Sequence, residues 1–540
     1  MPHGPGNGQR VRIALAVVTL ALLQAAISFR QCADLEYPGN YDTAYYFTVA
    51  RNFATGRGLT ESVLWHYLGP LRPIERPAGD CWMVGWPLVL GTLMIGFGHS
   101  GPDALRICAG LSVLLPLLAF RLSWRLRPEV GTSLLAGLLV CGQTRLYQSN
   151  VTPDVTLCYQ LLTLFAIGTG LYALRHDVSS LRLVWAGVAL SLPMWVRGEG
   201  FVALLAVTLA LLIWGGGGQR RRLGRAGWVI LGAVCGVAPL FVYHLAAFGR
   251  LSPEPRSLTF WLREMDELYR MDSDPSFRGW LSQGVQRIGY ERLRCLRALT
   301  YNILIQIAWP LLLSAAAGIL SGIARGRPEV FCLTLFLLLS AAVPTALVPF
   351  FTNPDRLVMH ALPVLCALSA FAVGDFLEHL RGKPLGARMA GLAATAIWIA
   401  GWILVRAPLN SQGHFEHGWK AQFRPVPAHL VAAARRLGLT PADAILTQDP
   451  WQVAAVLDVH TVMIPYDGPG AMKRVVKLYH PRFVLLPDEN SKEANPKLVG
   501  YFKDYREILD SLGFRQVLQV GSYRWYEQFP PRATTPVWGG

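Results

Sequence analysis

The sequence predicts a mainly α-helical protein: a polytopic transmembrane bundle of about 11–13 spans, followed by a small C-terminal α/β domain outside the membrane. Three observations lead there. Hydrophobic residues make up 52% of the 540 positions, and charged residues only 16%, against about 25% in an ordinary soluble domain. Apolar runs near the ~20 residues that cross a bilayer recur from position 11 to position 405. Beyond that point short buried strands alternate with amphipathic helices.

The predicted spans are residues 11–29, 104–120, 130–146, 155–174, 183–196, 201–214, 228–248, 301–323, 330–350, 357–376 and 389–405. A further apolar run, 83–97, is short and holds Gly85, Pro87, Gly91 and Gly96. Charge decides whether it crosses. Arg10 and Arg12 precede the first span, and the basic loops are 121–127, 219–225, 324–327 and 381–388. If 83–97 does not cross alone, the N-terminus and all four loops share the cytoplasmic side, as the positive-inside bias requires. The run is therefore expected to be shallow or re-entrant. The net charge of +16 then reflects membrane orientation and not a nucleic-acid partner.

That parity puts the loop 30–82, the turns at 147–154, 197–200 and 352–356, the segment 249–300 and the tail on the outer face of an inner (plasma) membrane. The segment 249–300 is partly helical in pattern and reads as amphipathic helices along the interface. The tail, 409–540, forms the soluble domain and residues 1–408 the membrane domain. Within the tail, 430–437 and 497–512 read as helices. Strands are expected at 444–447, 459–464, 483–486, 517–520 and 523–526. No Gly-x-Gly-x-x-Gly follows a strand, so nucleotide binding is not indicated. Six of the nine cysteines lie inside apolar runs as small hydrophobes; Cys32 and Cys81 flank the first polar loop, which leaves a disulfide open.

Polar residues on the outer face carry the chemistry. Asp42 stands among Tyr37, Tyr41, Tyr45 and Tyr46, just before a helical run at 44–54. It is either a reaction centre or a helix cap, since Asp is a favoured cap. Asp80 precedes the short apolar run. Arg197 and Glu199 lie between two apolar runs, either functional or an ion pair closing a hairpin. Asp355 and Arg356 open another span, and Asp154 reads as a helix-start acid. His414 and His417 are too slight a pattern for a metal pair. A lipid-phosphate donor needs cations, and Arg binds phosphate through paired hydrogen bonds; Arg51, Arg57, Arg197 and Arg356 are the candidates. A hydroxyl acceptor needs a base, and Asp42 is the best placed carboxylate. Tyr41, Tyr45, Tyr46, Trp65 and Trp82 suit a sugar or an isoprenoid.

Asp42-Thr-Ala-Tyr-Tyr46, Ala50-Arg-Asn52 and Gly56-Arg-Gly58 resemble the first outer loop of GT-C type integral-membrane glycosyltransferases, in the protein O-mannosyltransferase and aminoarabinose-transferase branch. Leu105-Arg106, Arg197-Gly-Glu-Gly200 and Asp355-Arg356 before Pro363 extend the likeness across the membrane region. It implies inverting transfer of a sugar from a polyprenyl-phosphate donor to a hydroxyl acceptor on protein, lipid or glycan, with Asp42 as base. It further implies donor or substrate contacts from Arg51, Arg57, Arg197, Arg356, Tyr45, Tyr46, Asp80, Glu199 and Asp355. The chain departs from the pattern twice. Thr43 stands where many relatives have a second acid, and Gly79-Asp-Cys-Trp-Met-Val-Gly-Trp-Pro87 replaces a Pro-Pro segment. No cofactor follows from the motifs, and a divalent metal stays open. The competing reading is a transporter or flippase of a lipid-linked precursor, which predicts inverted repeats; none is visible.

Overall fold

The computed structural model describes residues 7–33, 35–39, 41–174, 178–306, 309–347, 359–406, 428–488 and 495–529. Six helices are long and apolar enough to cross a membrane: Asn7–Cys32, Gly101–Leu126, Val155–Ala173, Gln219–Phe248, Pro328–Ala346 and Met359–Arg381. Shorter apolar helices accompany them at Val130–Cys141, Ser180–Trp195, Gly198–Trp214 and Trp309–Ala324. The chain is a multi-pass membrane protein. It forms two compact units.

The first unit comprises Met1–Asp34, Leu105–Tyr243 and Glu291–Lys420. In it Asn7–Cys32 runs antiparallel to Gly101–Leu126. Ala16 and Leu20 pack on Phe120 and Cys141, with Ile13, Trp124 and Val130 alongside, while Ser28 reaches Ser112 at 2.8 Å. The amino-terminal end of that first helix therefore lies at the end of the bundle where the 121–127 loop lies. The other basic loops meet there too. Arg127 bonds Asp375 at 3.0 Å and Glu129 at 2.8 Å, Arg325 bonds the same Asp375 at 2.8 Å, and Arg381 lies 4.0 Å from Glu129. Arg125 covers the Tyr172 ring, whose hydroxyl accepts from Arg182, and Arg225 donates to the Ala173 carbonyl next door. An N-terminus and four basic loops at one end require an even number of crossings between each pair.

The run at 83–97 forms a 13-residue helix, Gly85–Phe97. It belongs to the second unit and packs on the helix Asp42–Ala54. A Cβ on Gly91 would stand 2.7 Å from the Ala50 carbonyl oxygen and 2.9 Å from the Phe53 ring, so the close approach needs glycine.

The second unit comprises Leu35–Ala104, His244–Tyr290 and Ala421–Gly540. This differs from the sequence-based division at 408/409, because the first polar loop folds with the tail. The reason is a six-stranded sheet in the order β2-β5-β4-β6-β8-β7. It comprises β2 (Val63–Leu64), β4 (Ala444–Thr447), β5 (His460–Met463), β6 (Phe483–Pro487), β7 (Phe514–Val520) and β8 (Tyr523–Gln528). Strands β2, β5, β4 and β6 are parallel, and β8 closes antiparallel on β6 and β7. Strands β1 (Thr60–Glu61) and β3 (Arg76–Pro77) form a separate antiparallel pair. The sheet core is Ile445, Val453, Val459, Phe483, Leu485 and Trp525.

The segment expected as interfacial helices is more varied. Short helices at Glu254–Thr259 and Phe277–Leu281 flank an irregular stretch, and a longer helix covers Val285–Gln306. Cys32 and Cys81 are both free thiols.

Candidate functional site

Asp42 is the first residue of the helix Asp42–Ala54, and the preceding Tyr41 has a backbone φ of 47°. Such a φ strains a bulky residue, and strain of this kind gathers at functional sites. No side chain caps the helix from the Tyr41 position. A carboxylate here stands at the favourable, positive end of the helix dipole.

Rings from three segments of the unit surround this helix start. Tyr41 meets Trp451 edge-on at 5.5 Å, Tyr269 meets Trp451 at 6.4 Å, and Tyr269 meets Tyr466 at 4.8 Å. Tyr41 is 59% exposed and Trp451 only 3%. Burial raises the Tyr269 hydroxyl above its ordinary pKa, and the nearby Tyr466 and Asp42 add to the rise. Partial burial and then the Asp449 carboxylate raise Tyr41 in the same way. Asp449 is thus a second acid at the site. Sequence reading missed it, together with Trp451 and Tyr466. The signal was there: Gln448-Asp-Pro-Trp451 follows β4 and Tyr466-Asp467 follows β5, at the carboxyl ends of parallel strands, where open α/β sheets take ligands.

Beside this lies a buried polar core. Asp80 is completely buried, with Arg72 Nη1 at 2.8 Å, Arg76 Nε at 3.1 Å and His66 Nε2 at 3.3 Å. Arg76 also holds Glu61 at 3.0 Å, and the Tyr45 hydroxyl donates to Glu61 at 3.2 Å. Although burial opposes ionisation, the cations hold Asp80 well below the usual carboxylate range. Burial pushes Glu61 up to about 8 against the pull of Arg76. Arg76 thus lies between two buried carboxyl groups whose pKa values are pushed in opposite directions, Asp80 down and Glu61 up.

The other expected site residues have these surroundings. Tyr45 and Tyr46 are buried against Trp82, at 4.6 and 5.8 Å, and Trp82 stacks on Trp65 at 4.3 Å. They build the loop's core, as Asp80 does. Arg51 donates to the Ala455 and Ala454 carbonyls at 2.9 and 3.0 Å and pairs with Asp458 at 2.8 Å; Arg57 reaches the same Asp458 at 2.9 Å. Both guanidinium groups thereby clamp the loop to the helix Pro450–Leu457, which is why they are not open phosphate ligands. Arg256, not singled out from the sequence, donates to the Gly79, Cys81 and Trp82 carbonyls at 2.8–3.3 Å.

In the first unit Arg197 and Glu199 pair at 2.6 Å, the ion pair of a tight hairpin. A Cβ on Gly200 would stand 2.3 Å from the Pro193 carbonyl carbon. Arg197 also lies over the Tyr159 ring at 5.4 Å, and that ring meets the buried His360 at 4.8 Å, whose Nε2 is 3.1 Å from Ser340 Oγ. Polar side chains inside a membrane bundle are costly and commonly functional. Asp154 caps its helix, accepting from the Thr156 amide at 2.7 Å. Asp355, Arg356, His414 and His417 lie outside the described residues. Among the described residues no three His, Cys, Asp or Glu side chains gather to hold a metal ion.

No family model matches the chain, and no curated protein matches it in sequence. Solved structures do match in fold. ArnT from Cupriavidus metallidurans bound to undecaprenyl phosphate superposes with a TM-score of 0.56 at 13% identity, over 95% of this chain and 97% of that one. The oligosaccharyltransferase AglB from Archaeoglobus fulgidus, in complex with an inhibitory peptide and a dolichol-phosphate, gives 0.55 at 13% identity, over 97% and 75%. This chain has the GT-C fold. The mycobacterial arabinofuranosyltransferase AftD shares it at a TM-score of 0.53 and 14% identity, over 96% of this chain and 40% of its own.

Proposed function

We propose that this chain is a GT-C glycosyltransferase that moves a sugar from a polyprenyl-phosphate donor to a hydroxyl acceptor, with inversion at the anomeric carbon. The observation that carries the reading is Asp42 at a strained helix start, ringed by Tyr41, Trp451 and Tyr269, in a fold whose solved examples include complexes with dolichol-phosphate and undecaprenyl phosphate. Asp42 takes the acceptor proton as the hydroxyl oxygen attacks the anomeric carbon. The bond from that carbon to the phosphate oxygen breaks, and the polyprenyl phosphate leaves. A positioned carboxylate base contributes about 10²–10⁴-fold. The donor phosphate calls for cations, and the sequence offers Arg197 and Arg356 as candidates. The basic end of the bundle, with the N-terminus, faces the cytoplasm, and the reaction takes place on the outer face of the inner membrane.

The test is incubation of the purified chain with a panel of polyprenyl-phosphate sugars, following loss of donor. Consumption by the native chain and none by Asp42→Asn is the expected result. Equal consumption by both, or none by either, removes the reading.

A further inference from the structure

The tail's strand order places a crevice beside Asp42. From β4 the chain goes to β5 on one side, then returns past β4 to β6 on the other. The carboxyl ends of β4 and β6 therefore open at a topological switch point, where doubly wound sheets take small ligands. Asp449 follows β4. Asn495 follows β6, and its amide N–H donates across to Gln448 Oε1 at 3.0 Å. Gln448 Nε2 in turn donates to Asp449 Oδ2 at 2.9 Å, and Asn495 Nδ2 donates to the Tyr466 hydroxyl at 2.5 Å. One relay thus fixes a carboxylate and an aromatic ring at the crevice.

A strap supplies the second ring. Residues 264–272 cross the crevice, held by Lys497 on Asp266, Arg474 on Asp272 at 2.6 Å, and the Asp467 carboxylate on the Met271 amide. The Tyr466 amide donates to the Tyr269 carbonyl at 2.9 Å. Tyr269 is thereby laid against Tyr466 and Trp451.

Part-exposed rings beside carboxylates match one ligand chemistry well. Sugar faces stack on aromatic rings, and sugar hydroxyls donate to carboxylates. A phosphate-bearing acceptor head would meet Asp42 and Asp449 as like charges. We propose that Tyr269, Tyr466 and Asp449 form a saccharide subsite beside Asp42, so that the acceptor is a carbohydrate hydroxyl. This rests on the transferase reading above and names its acceptor class.

The test uses full-length protein in detergent and ligand-observed saturation-transfer NMR. The probes are the methyl glycosides of glucose, mannose, galactose and N-acetylglucosamine, set against a Ser/Thr-containing peptide. At least one glycoside should bind. Tyr466→Ala should weaken it about three- to tenfold, the worth of one ring contact, while Tyr466→Phe, which keeps the ring, should bind as the native chain does. Melting curves identify a variant that has lost its fold, and Tyr269→Ala, expected to weaken binding similarly, then stands in for it. Glycoside binding indifferent to both alanine variants, or binding of the peptide and no glycoside, overturns the proposal, as does binding of neither. Donor consumption with a peptide acceptor would then leave the transferase standing without this subsite. Absence of donor consumption with any acceptor would remove both.

Discussion

Replacing Glu61 by Gln tests the buried charge arrangement of the second unit. Glu61 is fully buried, touched by Arg76 and Tyr45, and has a pKa near 8 against an ordinary 4.5. A carboxyl that binds its proton more tightly when folded stabilises the fold below its unfolded pKa. That contribution is lost as pH rises through the folded pKa. Stability should therefore fall between about pH 4.5 and 8 and level off above. Full ionisation of this one group costs on the order of 5 kcal/mol. Glutamine keeps an acceptor for Tyr45 and cannot ionise, so E61Q should lack this fall. Buried His66 and part-buried His460 have lowered pKa values and act oppositely, since the unfolded chain takes up their protons as pH drops. Taking the difference between variant and native melting temperatures at pH 5, 7 and 9 cancels them. The gap should be small at pH 5 and should widen in favour of E61Q at pH 9. A gap independent of pH would show that Glu61 is ionised throughout, and would refute the protonated-glutamate arrangement.

Asp42→Asn should lower transfer by about 10²–10⁴-fold with the expression level unchanged, measured by donor turnover; loss of less than tenfold counts against a base there. Arg51→Met removes two carbonyl bonds and one ion pair, and should cost about 3 kcal/mol, read as faster proteolytic release of the tail. Gly200→Ala places a methyl group within backbone contact of Pro193 and should abolish a folded, monodisperse peak on size exclusion. Cysteines placed at Arg221 and Lys473 should label from opposite sides of the membrane with an impermeant maleimide, in a background with Cys235 replaced. Labelling from one side would break the topology.

Much of the architecture was legible because it is written in hydropathy. Every predicted span with described residues overlaps a helix, although the one at 130–146 breaks at Gly142–Gln143 into two, and the tail strands at 444–447 and 483–486 fall within a residue of β4 and β6. The Asp80 shell left one local sign, Arg76 four residues before it, but sequence reading took Asp80 for a substrate contact and did not see its partners. What could not be read is pairing at a distance. Strand β2 is two residues long, too short for any pattern, and its partner lies almost 400 positions away. Arg51 looked like a free cation for the same reason: its acceptors are backbone carbonyls at 454 and 455. Asp449 was passed over because one acid in a soluble tail carries no local sign of the ring cluster it joins.

The seat of β2 in the sheet also sets an order of assembly. Val63 and Leu64 align with Thr461 and Val462, and Tyr67 donates to the Met463 carbonyl. Asp42 and its helix leave the ribosome early, yet the wall they lean on is made near the end of synthesis. Contacts of such long range form late. For most of translation this early segment must wait in a half-built state beside the bilayer, so a premature stop anywhere before residue 463 would leave Asp42 without its finished surroundings.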